Sequence, residues 1–216
     1  MRHYGKTSDL PDTLSVFPLT GVLLLPRAQM PLNIFEPRYL SMIDAAMAGN
    51  RLIGMVQPTQ SEDEVLRPPL SAVGCAGRIT AYQETDDGRY LVTLTGICRL
   101  RVGEEPAVTT AFRQARVDYA PFADDLKLPA EEGFPRERVA TLLRDYLTRR
   151  DLKVDWGSVM SAPPEALVNA LCMLCPFEPR EKQALLEAPG FADRVDILIA
   201  LLEMSGVSAP GGNTVN

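Results

Sequence analysis

The sequence predicts an α+β fold: a β-rich region with one inserted helix over residues 14–120, followed by a helical bundle over residues 135–205. Three observations predict it. Short apolar runs closed by prolines, glycines and turn residues fill the first half, as strands do. In the second half, apolar residues recur at spacings of three and four, as on the buried faces of helices. Between the two, "PFADDLKLPAEEGF" (121–134) is acidic, with two prolines and a glycine, and reads as a linker.

The elements follow in order. Residues 1–13 are polar and read as a flexible N-terminus. "LSVFPL", "GVLLLP" and "RLIGMVQP" are short apolar runs closed or flanked by proline and read as strands. "VGCAGRITAYQET" and "RYLVTLTGICRLRV" flank Asp87-Gly88 and read as a long hairpin, because glycine takes the positive φ that a tight turn requires. On the return strand Tyr90, Val92 and Leu94 share one face and Leu91, Thr93 and Thr95 the other. Both faces are partly apolar, as in a small barrel or a covered sheet. "TAFRQARVDYAPF" adds a further strand.

The inserted helix is "EPRYLSMIDAAMAGN", with Leu40, Ile43 and Met47 on one stripe. Pro37 suits the first helical position, where no N–H is needed. Glu36 suits the positive end of the helix dipole, and Gly49 suits the stop. In the second half, "PRERVATLLRDYLTRR" places Val139, Leu142, Leu143, Tyr146 and Leu147 on one side. "PPEALVNALCMLC" is apolar almost all round and reads as the central helix. "EPREKQALLEA" and "FADRVDILIALLEM" bring the bundle to about four helices. Residues 206–216 read as a disordered tail.

Composition narrows the function. The 216 residues are 46% hydrophobic and 23% charged, with a net charge of -6, as in an ordinary globular chain. The first residues lack the apolar core of a signal peptide, and no apolar run reaches bilayer length, so a cytoplasmic protein with no membrane partner is expected. The acidic balance argues against bulk attraction to nucleic acid. The four cysteines, Cys75, Cys98, Cys172 and Cys175, are not a disulfide framework in such a context. His3 is the single histidine, which removes most histidine-based metal and acid–base chemistry.

Few residues remain to carry chemistry. There is no GxxxxGK[ST], no GxGxxG and no GxSxG. The CxxC formed by Cys172 and Cys175 sits at the C-terminal end of an apolar helix, where the dipole opposes a thiolate. It reads as a pair of small core side chains rather than a zinc or redox site. No metal, cofactor or catalytic residue is therefore assigned. Arg78, and Arg99 with Arg101 on one strand face, are candidates for holding a carboxylate or an acidic peptide; the alternative is a solvated face. Trp156 lies in a break between helices and reads as an anchor.

One further pattern is specific. "FPLTGVLLLPRAQMPLNIFEPRYLSMIDAAM" resembles the start of the Lon protease N-terminal (substrate-binding) domain family, and "VGCAGRIT", "DGRYLVTLTGICRLRV" and "CPFEPREKQALLEAP" resemble the compact bacterial members. The resemblance covers roughly residues 14–204. It implies a PUA-like pseudo-barrel for the β domain, followed by a helical bundle. It also implies a non-catalytic role: the family gives this region no catalytic residues, and the ATPase and peptidase modules of the full proteases have no counterpart in the motifs here. Glu36, Arg38 and Tyr39 match the family's charged lead-in to the first helix, with the implied role of holding that helix on the barrel.

The expected function is therefore a protein-binding module for unfolded or peptide segments of other proteins, acting with a protease to select or deliver substrates. Self-association is left open. The alternative is an RNA-associated module, because PUA-like folds recur in RNA-modifying proteins; the charge balance and the lack of aromatic–basic clusters weigh against it.

Overall fold

The computed structural model describes residues 4–60, 65, 67–129 and 131–207. Expectations for His3 and for the tail beyond 207 fall outside them. Six strands form one sheet: β1 (Thr13–Pro18), β2 (Gln29–Ile34), β3 (Leu52–Pro58), β4 (Leu70–Glu84), β5 (Tyr90–Val102) and β6 (Arg113–Asp118). The order is β2-β5-β4-β3-β1-β6, and β5 pairs again with β6. That last pairing, Arg101 with Asp118 and Val102 with Val117, closes β5, β4, β3, β1 and β6 into a barrel. β2 pairs with the other half of β5, from Tyr90 to Thr95, and stands outside the closed ring. All pairings are antiparallel except β1 with β3. The α+β class and the pseudo-barrel are as the sequence implies.

The β4–β5 hairpin turns where Gly88 adopts φ +77°, as the Asp-Gly pair requires. Two register shifts in this ladder, between Ala76 and Gly77 and between Ile79 and Ala81, bend the long strands, which serve both the barrel and the pairing with β2.

"GVLLLP" is not a strand. Residues 21–26 have no ladder partners, yet Leu23, Leu24 and Leu25 are buried in the main core. The sheet makes room for them with two glycines. A Cβ on Gly77 would lie 2.7 Å from Leu24, and one on Gly96 would lie 2.0 Å from the Leu25 carbonyl oxygen. The apolar run reads as a strand by composition, but its burial comes from crossing the sheet rather than joining it.

α1 (Pro37–Ala48) inserts after β2. Its buried face is Tyr39, Met42, Ile43 and Ala46. This is the expected period turned by one position, with Leu40 and Met47 at its flank. Tyr39 leads the face because its ring meets Phe17 of β1 at 4.3 Å between centroids.

The bundle holds α2 (Arg136–Arg149), α3 (Trp156–Ser161), α4 (Pro164–Leu174), α5 (Pro179–Glu187) and α6 (Phe191–Val207). That is five helices rather than about four, because the break around Trp156 contains the short α3, capped by Asp155. The main hydrophobic core is continuous from the barrel into the bundle, joining Leu25, Met30, Ile53 and Leu94 with Leu143, Leu167, Leu185 and Leu198.

Two segments expected to be loose are ordered. Tyr4 and Leu10 fill a second core inside the barrel with Leu14, Ala76 and Leu100. The first half of the linker is a 3-10 helix, Ala120–Leu126, that carries Asp125 into the interior. Among the described residues, no helix is long and apolar enough to cross a membrane.

Gly96→Ala tests the crossing. The clashing atom is backbone and cannot be displaced by a rotamer change, so thermal unfolding should show a loss of roughly 1–3 kcal/mol or more. A neutral melt would mean that Leu25 does not approach β5 this closely.

Candidate functional site

The six residues singled out from the sequence do not form one site. Glu36 is the N-cap of α1 and pairs with Arg38 at 2.9 Å, inside the same turn, with side chains 44% and 38% exposed. Arg38 also lies 4.5 Å over the Tyr39 ring. Tyr39 is the member of this trio that is buried against the barrel. Arg78 donates to the Tyr4 hydroxyl and the Asn50 carbonyl, both at 2.9 Å, and so pins the N-terminal segment to β4. Arg101 is exposed and makes no ion pair among the described residues.

Arg99, two residues away on the same strand, is 3% exposed. The alternation that pairs Arg99 with Arg101 is present, but the 3-10 helix covers only Arg99. Its Nε and Nη2 donate to the Asp125 carboxylate at 2.8 and 2.9 Å, and its backbone N–H donates to the same group at 2.9 Å. Nη1 donates to the carbonyls of Leu186 and Ala188, and Nη2 reaches that of Pro189. Phe122 lies against the guanidinium at 4.7 Å. One side chain thus binds β5, the 3-10 helix and the α5–α6 junction.

Beside this clamp the two halves of the chain enclose a groove of about 580 Å³. One wall is Arg27, Ala28 and Gln29, at the start of β2. The other is α4, through Ala166, Ala170, Met173 and Leu174. Leu128 and Pro129 form one lip. The lining is mainly apolar. Leu128 and Leu174 stand 84% and 81% exposed at the edge.

The floor is polar and fixed. Arg27 has φ +65°, a region ordinary side chains avoid. Its N–H is bonded to the Gly96 carbonyl at 2.8 Å. Nε and Nη2 grip Glu165 of α4 at 2.8 and 2.6 Å, and Nη1 donates to the Asp125 carbonyl. Burial works against the Arg27 charge, but the Glu165 carboxylate outweighs it and holds the pKa above its ordinary value. One turn on, Asn169 donates to the Pro26 carbonyl at 3.0 Å.

Sequence reasoning missed this floor. A signal existed: Glu165 and Asn169 are the two polar residues of an otherwise apolar helix, at i and i+4, and such residues are buried only with partners. Asp125 was hidden in an acidic stretch that reads as solvated.

The CxxC offers no reactive thiol. Cys172 and Cys175 are both buried in the main core. Burial pushes the Cys172 thiol up to about 12 and the Cys175 thiol up to about 11. Among the described residues, no group of three or more histidine, cysteine, aspartate or glutamate side chains is placed to hold a metal.

The model of the ATP-dependent protease La (LON) substrate-binding domain matches residues 13–204. The chain belongs to this family. The Lon substrate-binding domain is a non-catalytic module. Lon protease of Desulfosudis oleivorans is 32% identical over 116 residues, which is 51% of this chain and 14% of that protein. Lon protease 2 of Thermus thermophilus is 26% identical over 210 residues, 90% of this chain and 24% of its own length. The chain therefore spans about a quarter or less of these Lon relatives.

The fold recurs in the N-terminal domain of a Mycobacterium avium complex Lon protease (TM-score 0.59, 20% identity, 88% of this chain and 98% of that one). It recurs also in a Lon N-terminal domain protein from Xanthomonas campestris (TM-score 0.57, 24% identity, 87% and 97%).

The two kinds of arginine pairing separate in unfolding experiments. Arg99→Met leaves Asp125 buried without a countercharge and should lower stability by about 3–5 kcal/mol. Arg38→Ala removes a half-exposed pair and should lower it by less than about 1 kcal/mol. Equal losses in denaturant titrations would contradict this assignment of roles.

Proposed function

We propose that this chain is a non-catalytic module that binds unfolded or peptide segments of other proteins in the groove between β2 and α4, and that it selects or presents them for proteolysis. The observation that carries this reading is the pair of lips. Leu128 and Leu174 are large apolar side chains held almost fully in solvent on either side of an apolar cleft, an arrangement that marks a contact surface. The cleft is of the size that takes a few side chains of a ligand. Its walls are joined by the part-buried Arg27–Glu165 pair and the Asn169–Pro26 hydrogen bond, so the site is formed before a ligand arrives and the ordering cost falls on the ligand alone. Membership of the Lon substrate-binding domain family supports polypeptide as the ligand class. The Lon relatives are proteases by name, which supports a protease as the downstream partner in the cytoplasm. The absence of a phosphate loop, of a nucleophile elbow and of an accessible low-pKa thiol supports a module that performs no catalysis itself.

Leu128→Asp combined with Leu174→Asp tests the groove. Both positions are exposed, so the melting temperature should stay near that of the wild type while affinity for an unfolded probe, carboxymethylated casein, falls about tenfold or more. Unchanged affinity in a correctly folded double variant would place binding elsewhere. Presentation is read separately, from the rate at which a Lon-type protease degrades casein with and without the added chain.

A further inference from the structure

At the foot of α6 a second pocket, of about 400 Å³, adjoins the groove and shares Arg27, Leu128, Pro129 and Glu165 with it. Its lining holds four cations and four acids, but the pairing is uneven. Three guanidiniums, Arg27, Arg99 and Arg194, line it. Two interior carboxylates answer them: Glu165 pairs with Arg27 and Asp125 with Arg99. Arg194 has neither. It is 4% exposed; its Nε donates to the Leu185 carbonyl at 3.0 Å, and its Nη2 is buried with no hydrogen-bond partner.

The remaining acids of the pocket are engaged elsewhere or exposed. Asp124 pairs with Lys127 in solvent, and Asp193 accepts from the Gly190 N–H. An unpaired charge and an unused donor at this depth are destabilising unless something completes them. Burial, and the Arg99 charge beside it, pull the Arg194 pKa below its ordinary value.

We propose that this pocket is a carboxylate subsite of the groove, in which Arg194 receives a carboxylate of the bound polypeptide, with the chain terminus as the source that fits best. The inference rests on the groove reading above and deepens it. A segment lying along α4 with its apolar side chains between Leu128 and Leu174 reaches Arg194 past the shared residues Arg27 and Glu165. Its final carboxylate supplies the directly bonded partner that Arg194 lacks, and the planar fork of arginine suits a two-oxygen acceptor. An internal aspartate or glutamate offers the same group on a longer stem and must carry its flanking backbone past the pocket, which a chain end need not do.

The test uses a short leucine- and alanine-rich peptide, dye-labelled at its N-terminus, in three forms: free C-terminal acid, C-terminal amide, and amide with aspartate as the last residue. Fluorescence anisotropy on the wild-type chain should show the acid binding about tenfold or more tightly than the plain amide, as expected for a charged hydrogen bond. Arg194→Met should abolish that difference while leaving the amide's affinity unchanged, and Arg194→Lys should restore part of it. An aspartate-ended amide that matches the acid assigns the subsite to carboxylates in general; one that behaves as the plain amide assigns it to the chain terminus.

Equal binding of acid and amide to the wild-type chain overturns the proposal, whatever the variants do. If neither peptide binds, the groove reading is what fails. The pocket is then read alone, by whether sodium acetate raises the melting temperature above sodium chloride at equal ionic strength in the wild type and not in Arg194→Met. No such rise overturns the carboxylate site too.

Discussion

A guanidinium 3% exposed to solvent has lost the water that would screen its charge, and leaving it without a countercharge costs several kcal/mol. Arg99 meets that demand with groups drawn from three places far apart in sequence: the Asp125 carboxylate, the aromatic face of Phe122, and the carbonyls of Leu186, Ala188 and Pro189. Asp125 cannot leave without stranding the charge, and loss of a carbonyl leaves a buried N–H unmet. The barrel strand β5, the 3-10 helix after the barrel and the α5–α6 junction are therefore tied to one point. The segment that reads as a linker acts as a strap.

Other polar contacts follow the same seam. Arg27 holds Glu165, Asn169 holds the Pro26 carbonyl, and Lys182 donates to the carbonyl of Gly21 at 2.9 Å. Gln57 of β3 accepts from the Gly21 N–H and donates to the Pro179 carbonyl. Each bond crosses from the β region to the bundle or secures the chain between them. A groove whose walls are fixed in this way offers a preformed apolar surface to a chain that has no structure of its own. In the proposed function such a groove covers apolar side chains of its ligand rather than reading a folded shape.

The sequence showed the architecture because period and punctuation are local. The hairpin at Asp87-Gly88, the helix after Pro37 and the helical second half all rest on neighbours within a few residues. It misled where burial had a distant cause. Leu23 to Leu25 look like a strand, yet they are buried because Gly77 and Gly96 open the sheet beneath them. Arg99 and Arg101 look equivalent because strand alternation makes them so; only the 3-10 helix, some twenty-five residues on, distinguishes them. Asp125 and Asp124 are adjacent acids, one exposed and one buried, and nothing local decides which. Tyr39 is a further case: the helical period alone puts Leu40, Ile43 and Met47 on the buried stripe, and the contact with Phe17 of β1 turns that face by one position.

With Arg99 clamping them, barrel and bundle are expected to unfold as one unit. Trp156, the only tryptophan, begins α3 and reports the bundle alone, while amide hydrogen exchange in β3 and β4 reports the barrel. Denaturant unfolding of the wild-type chain should give coincident transitions by the two probes, and Arg99→Met should separate them. Transitions already separate in the wild type, or still coincident after Arg99→Met, would show that something other than this guanidinium joins the two halves.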